Sequence, residues 1–493
     1  MCAHQNESGT QQDRLALDFA ETCPQCGTGN KDESPRRVPG VAPSIALLTP
    51  YNGGNLGDAA IQDAMICNLR ARLPNAQFFG ITLSNENFLK RHGSGAFPLL
   101  ASGLGVPVEK QVGAGLTPHW EAPRPEYHRA MNPMRRMLHR VPGLVSGVRG
   151  VRGRCSAAKK QFDHTIGGYH ALRGQQLLVI SGGGQLDDEY GGPWRLPFAL
   201  FKWSLLARIA NVPVVLASVG ASPMKSWISR RLTAAMLRLC RYRSYREGNS
   251  RQIVASILRK ADSDPIVPDL AFTLPASELP SETREIRERA NGRTIIAISP
   301  MAFAKPGNWP TPNRALHERY LKEMRRLLSI LIARGHFVVL ACSSLGDDET
   351  VIPELLKSLD EQTKSGIETN FYLPNIREWR EYVAAVQEAD YLVASRLHAT
   401  ILGLIAQKPA IAISFDPKVD WVMELTGQTD YLMKIHDFTA EDVLRALARA
   451  EGGRSGIVEQ LRSYRREVLR SSAVSAKQYD LIASIALQRR QLN

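Results

Sequence analysis

Short, predominantly apolar runs recur along this chain, and most are followed by a segment of helical length. SIALL (44–48), QFFGITL (77–83), LLVI (177–180) and VPVVLASVG (212–220) form one series. TIIAISP (294–300), FVVLACS (337–343), YLVAS (391–395) and PAIAISF (409–415) form a second. A strand buried on both faces loses in–out alternation, so such runs predict parallel sheets covered by helices. Ile61, Met65, Leu69 and Leu73 share one face of a helix that starts near Asp58. Residues 314–334 predict another helix, and IREWREYVAAVQEAD a third, capped by Asn375. With 493 residues, too many for one ordinary core, the chain is expected to be α/β, with two Rossmann-like domains facing a cleft. The expected domains are 43–275 and 290–436, joined by a segment of low apolar content near 275–293. Residues 1–42 are polar and expected to be a disordered tail. Residues 437–493 predict a helical tail, with Leu461, Val468 and Ile482 among its apolar positions.

Charge narrows the partners. The formal net charge is +14, from 62 Lys and Arg against 48 Asp and Glu. The excess is uneven: between Arg124 and Lys160 ten basic residues face only Glu126. This block, with Pro123, Pro125, Pro133 and Pro142, predicts a basic insertion or mobile flap at about 120–165. It lacks interleaved aromatics for base stacking, so it suits phosphate groups or an anionic membrane surface, and no nucleic acid is expected. Seven sparse cysteines point to a reducing compartment; Cys23 and Cys26 form one CxxC, half of a zinc site at most. The first residues lack the apolar core of a signal peptide, and the most apolar stretch is broken by Lys202, Arg208 and Pro213. The expected location is cytoplasmic, with any membrane contact peripheral.

Three segments carry candidate chemistry. NGGNLGDAAI (52–61) is a glycine-rich turn into a helix start, where free N–H groups can meet an anion; Asn55, Gly57 and Asp58 are its candidate contacts. The bland alternative is a tight turn with Asp58 as the cap. VISGGGQLDDEYGGPW (179–194) puts Gly182, Gly183 and Gly184 at the carboxyl end of a buried strand, where open α/β sheets bind ligands. The Asp187, Asp188 and Glu189 that follow could accept a proton or orient a sugar hydroxyl, but the favoured reading is a solvated loop. In YLVASRLHATILGLIAQKPAIAISFDPKV (391–419), Arg396 and His398 lie where a strand turns into an apolar helix, and Lys418 emerges at the same sheet edge. Together they make an anion site with a titratable group inside it. No His/Cys/Asp cluster has ligand spacing, so neither metal nor cofactor is expected.

NLGDAAI, SGGGQL and SRLHATILGLIAQKPAIAISFDPK together resemble the polysaccharide pyruvyl transferase family, over roughly 44–430. YREGNS (245–250) and VPDLAFTL (267–274) are similar to a further pair of family segments, with Glu247 where Asp is usual and Ala399 where Gly is usual. The resemblance implies a fold of the GT-B type and phosphoenolpyruvate as donor substrate. It implies donor contacts from Arg246, Arg396 and Lys418, and His398 as general acid. The implied product is a pyruvate ketal on a sugar of a polysaccharide or lipid-linked glycan, with phosphate released. Two other readings compete: a GT-B glycosyltransferase using a nucleotide sugar, for which Glu424 is the candidate ribose acid, and a noncatalytic protein that binds glycans or anions.

Overall fold

Each apolar run becomes a strand of a parallel sheet, because a run without polar positions can be buried on both faces. The computed structural model describes residues 42–101 and 142–488 except 190, 358, 360–362, 364, 365, 367 and 368, and the side chains of these other than 142–156. The first sheet contains β1 (Ser44–Leu48), β2 (Gln77–Thr82), β3 (Ala96–Pro98), β4 (Leu177–Ser181), β5 (Gly184–Leu186), β6 (Val214–Ala221) and β7 (Cys240–Tyr245). Its order is β3-β2-β1-β4-β6-β5, with β7 also paired to β6. The second sheet contains β8 (Ile295–Ser299), β9 (Phe337–Leu340), β10 (Phe371–Tyr372), β11 (Tyr391–Ala394), β12 (Ala410–Ser414) and β13 (Leu432–Lys434), in the order β10-β9-β8-β11-β12-β13. All pairings in both sheets are parallel. In each sheet the chain builds outward from one central strand, then restarts on its other side. That reversal lies between β1 and β4 and between β8 and β11, and a crevice opens there at the carboxyl ends of the strands.

Helix ends differ from the sequence expectation at two places. The helix Leu56–Arg72 is capped by Asn55, whose side chain accepts from the N–H groups of Gly57 and Asp58. Asp58, expected as a possible cap, therefore sits in the first turn. The helix Trp379–Glu388 is preceded by Glu378, whose N–H donates to the Glu381 carboxylate at 3.1 Å, so Asn375 is not its cap. Four residues before the helix, Asn375 is too far upstream to reach the first free N–H groups.

The basic block also differs. Residues 142–173 form one helix, Pro142–Arg173, with Pro142 at its first position, where the missing N–H costs nothing. Its end is core: Leu172 is fully buried and Gly168 lies against the Trp203 ring. The proline-rich part, 102–141, lies outside the described residues, as does the expected tail 1–42, with Cys23 and Cys26, up to residue 41.

One apolar core runs through both halves and includes Ile45, Val179, Leu270, Ile298, Leu402 and Ile482. The opposite face of the first sheet packs separately, with Leu48, Ile180, Trp203 and Leu237. The expected helical tail is two helices, Ala440–Val468 and Val474–Gln488. Arg465 donates to the carbonyls of Ile405 (2.7 Å) and Leu274 (3.1 Å), one in each half. The last helix returns to the first half, where the Tyr479 hydroxyl meets Thr273 Oγ1 at 2.7 Å in a buried contact. Among the described residues no helix is long and apolar enough to cross a membrane.

Candidate active site

The carboxyl edges of the two sheets meet over a cleft of about 460 Å³. Backbone joins its floor: Leu56 N–H donates to Ser343 (3.0 Å) and Leu345 N–H to Gly54 (2.8 Å). Of the residues singled out from the sequence, Asn55, Asp58, Gly184, Arg246, Arg396, His398 and Lys418 line the cleft. Gly57, Gly182 and Gly183 stand behind this wall, and the first two leave room for neighbouring side chains.

His398 is held across the two halves. Its Nδ1 lies 3.1 Å from Asn55 Oδ1, the same oxygen that caps the Leu56–Arg72 helix. An amide oxygen only accepts, so Nδ1 carries the proton and Nε2 presents a lone pair. Nε2 is buried and has no hydrogen-bond partner among the described residues. Burial lowers the imidazole's proton affinity, while Asp58 and Asp269 pull it back up. Gly57 makes room for this ring, because a Cβ there would lie 1.9 Å from His398 Cγ. Asp58 faces the same space, and loss of solvent raises its pKa against the opposing effect of His398. Gly182 is left-handed, with φ +51°, and a Cβ there would press on Ile61 Cγ2 at 2.5 Å. Gly183 adopts φ +71° beside the Asp58 carboxylate.

The three cations differ in how they are neutralised. Arg246 is buried between Glu247 (2.8 Å) and Asp269 (3.2 Å), and Gly220 leaves space for its guanidinium. Arg396 contacts the fully buried Asp348 with Nε and Nη2, at distances down to 2.7 Å. Lys418 donates to Ser222 Oγ at 2.8 Å and stands 3.9 Å from Asp416, so its charge is less committed. Both glycine-strand and lysine converge: a Cβ at Gly184 would lie 3.6 Å from Lys418 Nζ and 4.0 Å from Arg246 Nη2.

Asp187 corrects the sequence reading. Expected in a solvated loop, it is 8% exposed, lines the cleft, and has its pKa raised by burial and lowered by Lys418. Asp188 accepts from the N–H groups of Lys225 (3.1 Å) and Ser226 (2.8 Å), so its role is structural. Asp348 was also missed, since it is far in sequence from the arginine it balances, whereas Asp269 lies in the VPDLAFTL segment already singled out beside Arg246. The aromatic side of the cleft was missed as well: Trp309 stands edge-to-face with Phe303 and Phe415, at 5.6 Å in each case. A Trp-Pro pair in a loop after a strand was the only signal for it. Glu424, the acid required by the nucleotide-sugar reading, is exposed and does not line the cleft.

The polysaccharide pyruvyl transferase model matches residues 55–417, most of the chain. The chain belongs to the polysaccharide pyruvyl transferase family. It is accordingly a transferase with a GT-B-like fold. No curated relative matches it. Among solved structures it is similar to a putative UDP-N-acetylglucosamine 2-epimerase from Listeria monocytogenes, at 8% identity and a TM-score of 0.51. That match covers 91% of this chain and 97% of the other, and supports the fold alone. UDP-GlcNAc 2-epimerase from Neisseria meningitidis is 11% identical, with a TM-score of 0.49 and coverage of 90% and 100%.

Proposed function

We propose that the cleft transfers pyruvate from phosphoenolpyruvate to two hydroxyls of a glycan sugar, forming a ketal and releasing phosphate. The observation that carries this is the clamped His398, whose unpartnered Nε2 shares the cleft with Lys418, Arg396 and Arg246. A donor with a phosphate and a carboxylate needs fixed cations to orient it. One sugar hydroxyl adds across the enol double bond, its oxygen to C2 and a proton to the methylene carbon. The second hydroxyl then displaces phosphate from C2 and closes the ring.

His398 would supply the proton to the methylene carbon. In the empty cleft burial keeps it neutral, and an arriving dianion adds to the pull of Asp58 and Asp269, so protonation accompanies donor binding. Asp187, close enough to Lys418 to feel its charge, would accept the acceptor's hydroxyl proton. Lys418 and Arg396 would stabilise the departing phosphate. The acceptor belongs to a polysaccharide or a lipid-linked glycan; the latter would place a cytoplasmic enzyme at an anionic membrane surface. The chemistry calls for neither metal nor cofactor.

The test is incubation with phosphoenolpyruvate and a panel of free and lipid-linked glycans, following phosphate release and acceptor mass. Phosphate release together with a pyruvylated acceptor is expected. Transfer of a sugar from a nucleotide sugar, with no use of phosphoenolpyruvate, would replace this reading.

A further inference from the structure

From residue 190 to residue 246 the chain contains no Asp or Glu, yet it holds ten basic residues, from Arg195 to Arg246. This stretch supplies the helices Leu196–Ile209 and Trp227–Leu239, which pack over one face of the first sheet. The inner side of the layer is apolar, with Trp203 and Leu237 fully buried. Its outer side is apolar in places too. Trp194 is 56% exposed and Trp227 is 64% exposed. Among the described residues every exposed Phe or Trp belongs to this layer or to the helix beside it, where Phe162 is the third.

Trp194 and Trp227 occupy neighbouring elements, and each lies just past the carboxyl end of a strand, β5 or β6, which is the cleft side of the sheet. Lys225, Arg230 and Arg231 are exposed around Trp227, and the Arg231 guanidinium lies over its ring at 5.3 Å. Asp188, the acid nearest in sequence before this stretch apart from Glu189, accepts backbone N–H groups of Lys225 and Ser226. The rim also reaches the active site, since Ser222 accepts from Lys418.

Two exposed indoles on neighbouring elements, bordered by cations, have the make-up of an interaction surface. Trp beside Arg and Lys suits the interface of an anionic bilayer, where the ring enters the headgroup level and the cations meet lipid phosphates. Nucleic acid would also take the charge and the rings, but the rim borders the cleft in which a lipid-linked glycan is the proposed acceptor, and that favours lipid. We propose that the rim formed by Trp194, Trp227, Lys225, Arg230 and Arg231 is the face by which this enzyme rests on an anionic membrane, cleft toward the lipid. Its purpose rests on the lipid-linked acceptor proposed above, but binding to lipid is measurable without donor or acceptor.

The experiment is sedimentation of the full chain with phosphatidylcholine vesicles, with and without phosphatidylglycerol, at low and high salt. Binding is expected only with phosphatidylglycerol and weaker at high salt. Arg230→Gln with Arg231→Gln should weaken it about tenfold or more, at roughly 1 kcal/mol per basic residue. Trp194→Ser with Trp227→Ser should also weaken it, and matched thermal unfolding would show both variants folded. No binding to phosphatidylglycerol vesicles would overturn the proposal, as would binding that both double variants retain. Loss in the arginine variant alone, with full competition by single-stranded DNA, would reassign the patch to nucleic acid. Vesicle binding by a protein that never uses phosphoenolpyruvate would leave this proposal standing and remove the donor assignment.

Discussion

A single amide oxygen, Asn55 Oδ1, sets both a helix start and the tautomer of His398. Gly57→Ala is therefore expected to abolish turnover as thoroughly as His398→Ala, because a Cβ 1.9 Å from the ring would expel it. Phosphate-release assays on both variants, with donor binding by calorimetry, check this; a fully active Gly57→Ala enzyme would contradict the geometry. The arginines and the lysine should part company. Lys418→Ala is expected to weaken phosphoenolpyruvate by about 1.5–3 kcal/mol with little effect on folding. Arg396→Ala strands the buried Asp348, so it should destabilise the protein by about 3–5 kcal/mol as well. Comparing calorimetric affinity with denaturant unfolding for the two separates these roles. The pH dependence follows from the sign of the His398 shift. Its proton affinity is low in the empty cleft and rises beside a bound dianion. The alkaline fall of kcat should thus lie at higher pH than that of kcat/KM, and coincident limbs would remove His398 as the acid.

The strands were legible because a doubly covered strand is written as an uninterrupted apolar run; SIALL and LLVI became β1 and β4 almost to the residue. Arg396, His398 and Lys418 were legible because a charge at the end of such a run has nowhere to go but the cleft. Asp187 was not, since Gly, Asp and Glu around it look the same in a solvated loop as in a buried short strand's exit. The helix Pro142–Arg173 was obscured by its glycines, yet Gly168 is what lets it approach Trp203. The helix Trp379–Glu388 carries a further constraint. Trp379 Nε1 (2.7 Å) and Arg380 (3.0 Å) donate to Asp63 of the helix Leu56–Arg72, which also pairs with Arg91. Asp63→Ala removes the acceptor of all three donors. It is expected to cost about 3–5 kcal/mol, read as a lower Tm, with the donor affinity of the folded protein retained.

At the scale of the whole molecule, two sheets with the same order over their first four strands, β3-β2-β1-β4 and β10-β9-β8-β11, share one core and a backbone-bonded cleft floor. Wide hinge opening would break the bonds from Gly54 and Leu56 to the 343–345 segment. Small-angle scattering is therefore expected to show the same radius of gyration with and without phosphoenolpyruvate, and a clear contraction would indicate a hinge these bonds do not permit. The returning last helix has another effect, on synthesis. Residues 474–488 complete the flank of the first half, with Tyr479 on Thr273 and Arg72 beside Asp480. On the ribosome, the first half emerges hundreds of residues before the segment that seals it. Until residues 474–488 have been made, its apolar flank has no cover from its own chain, so a chain cut short before them yields a product for chaperones and proteases rather than a smaller enzyme.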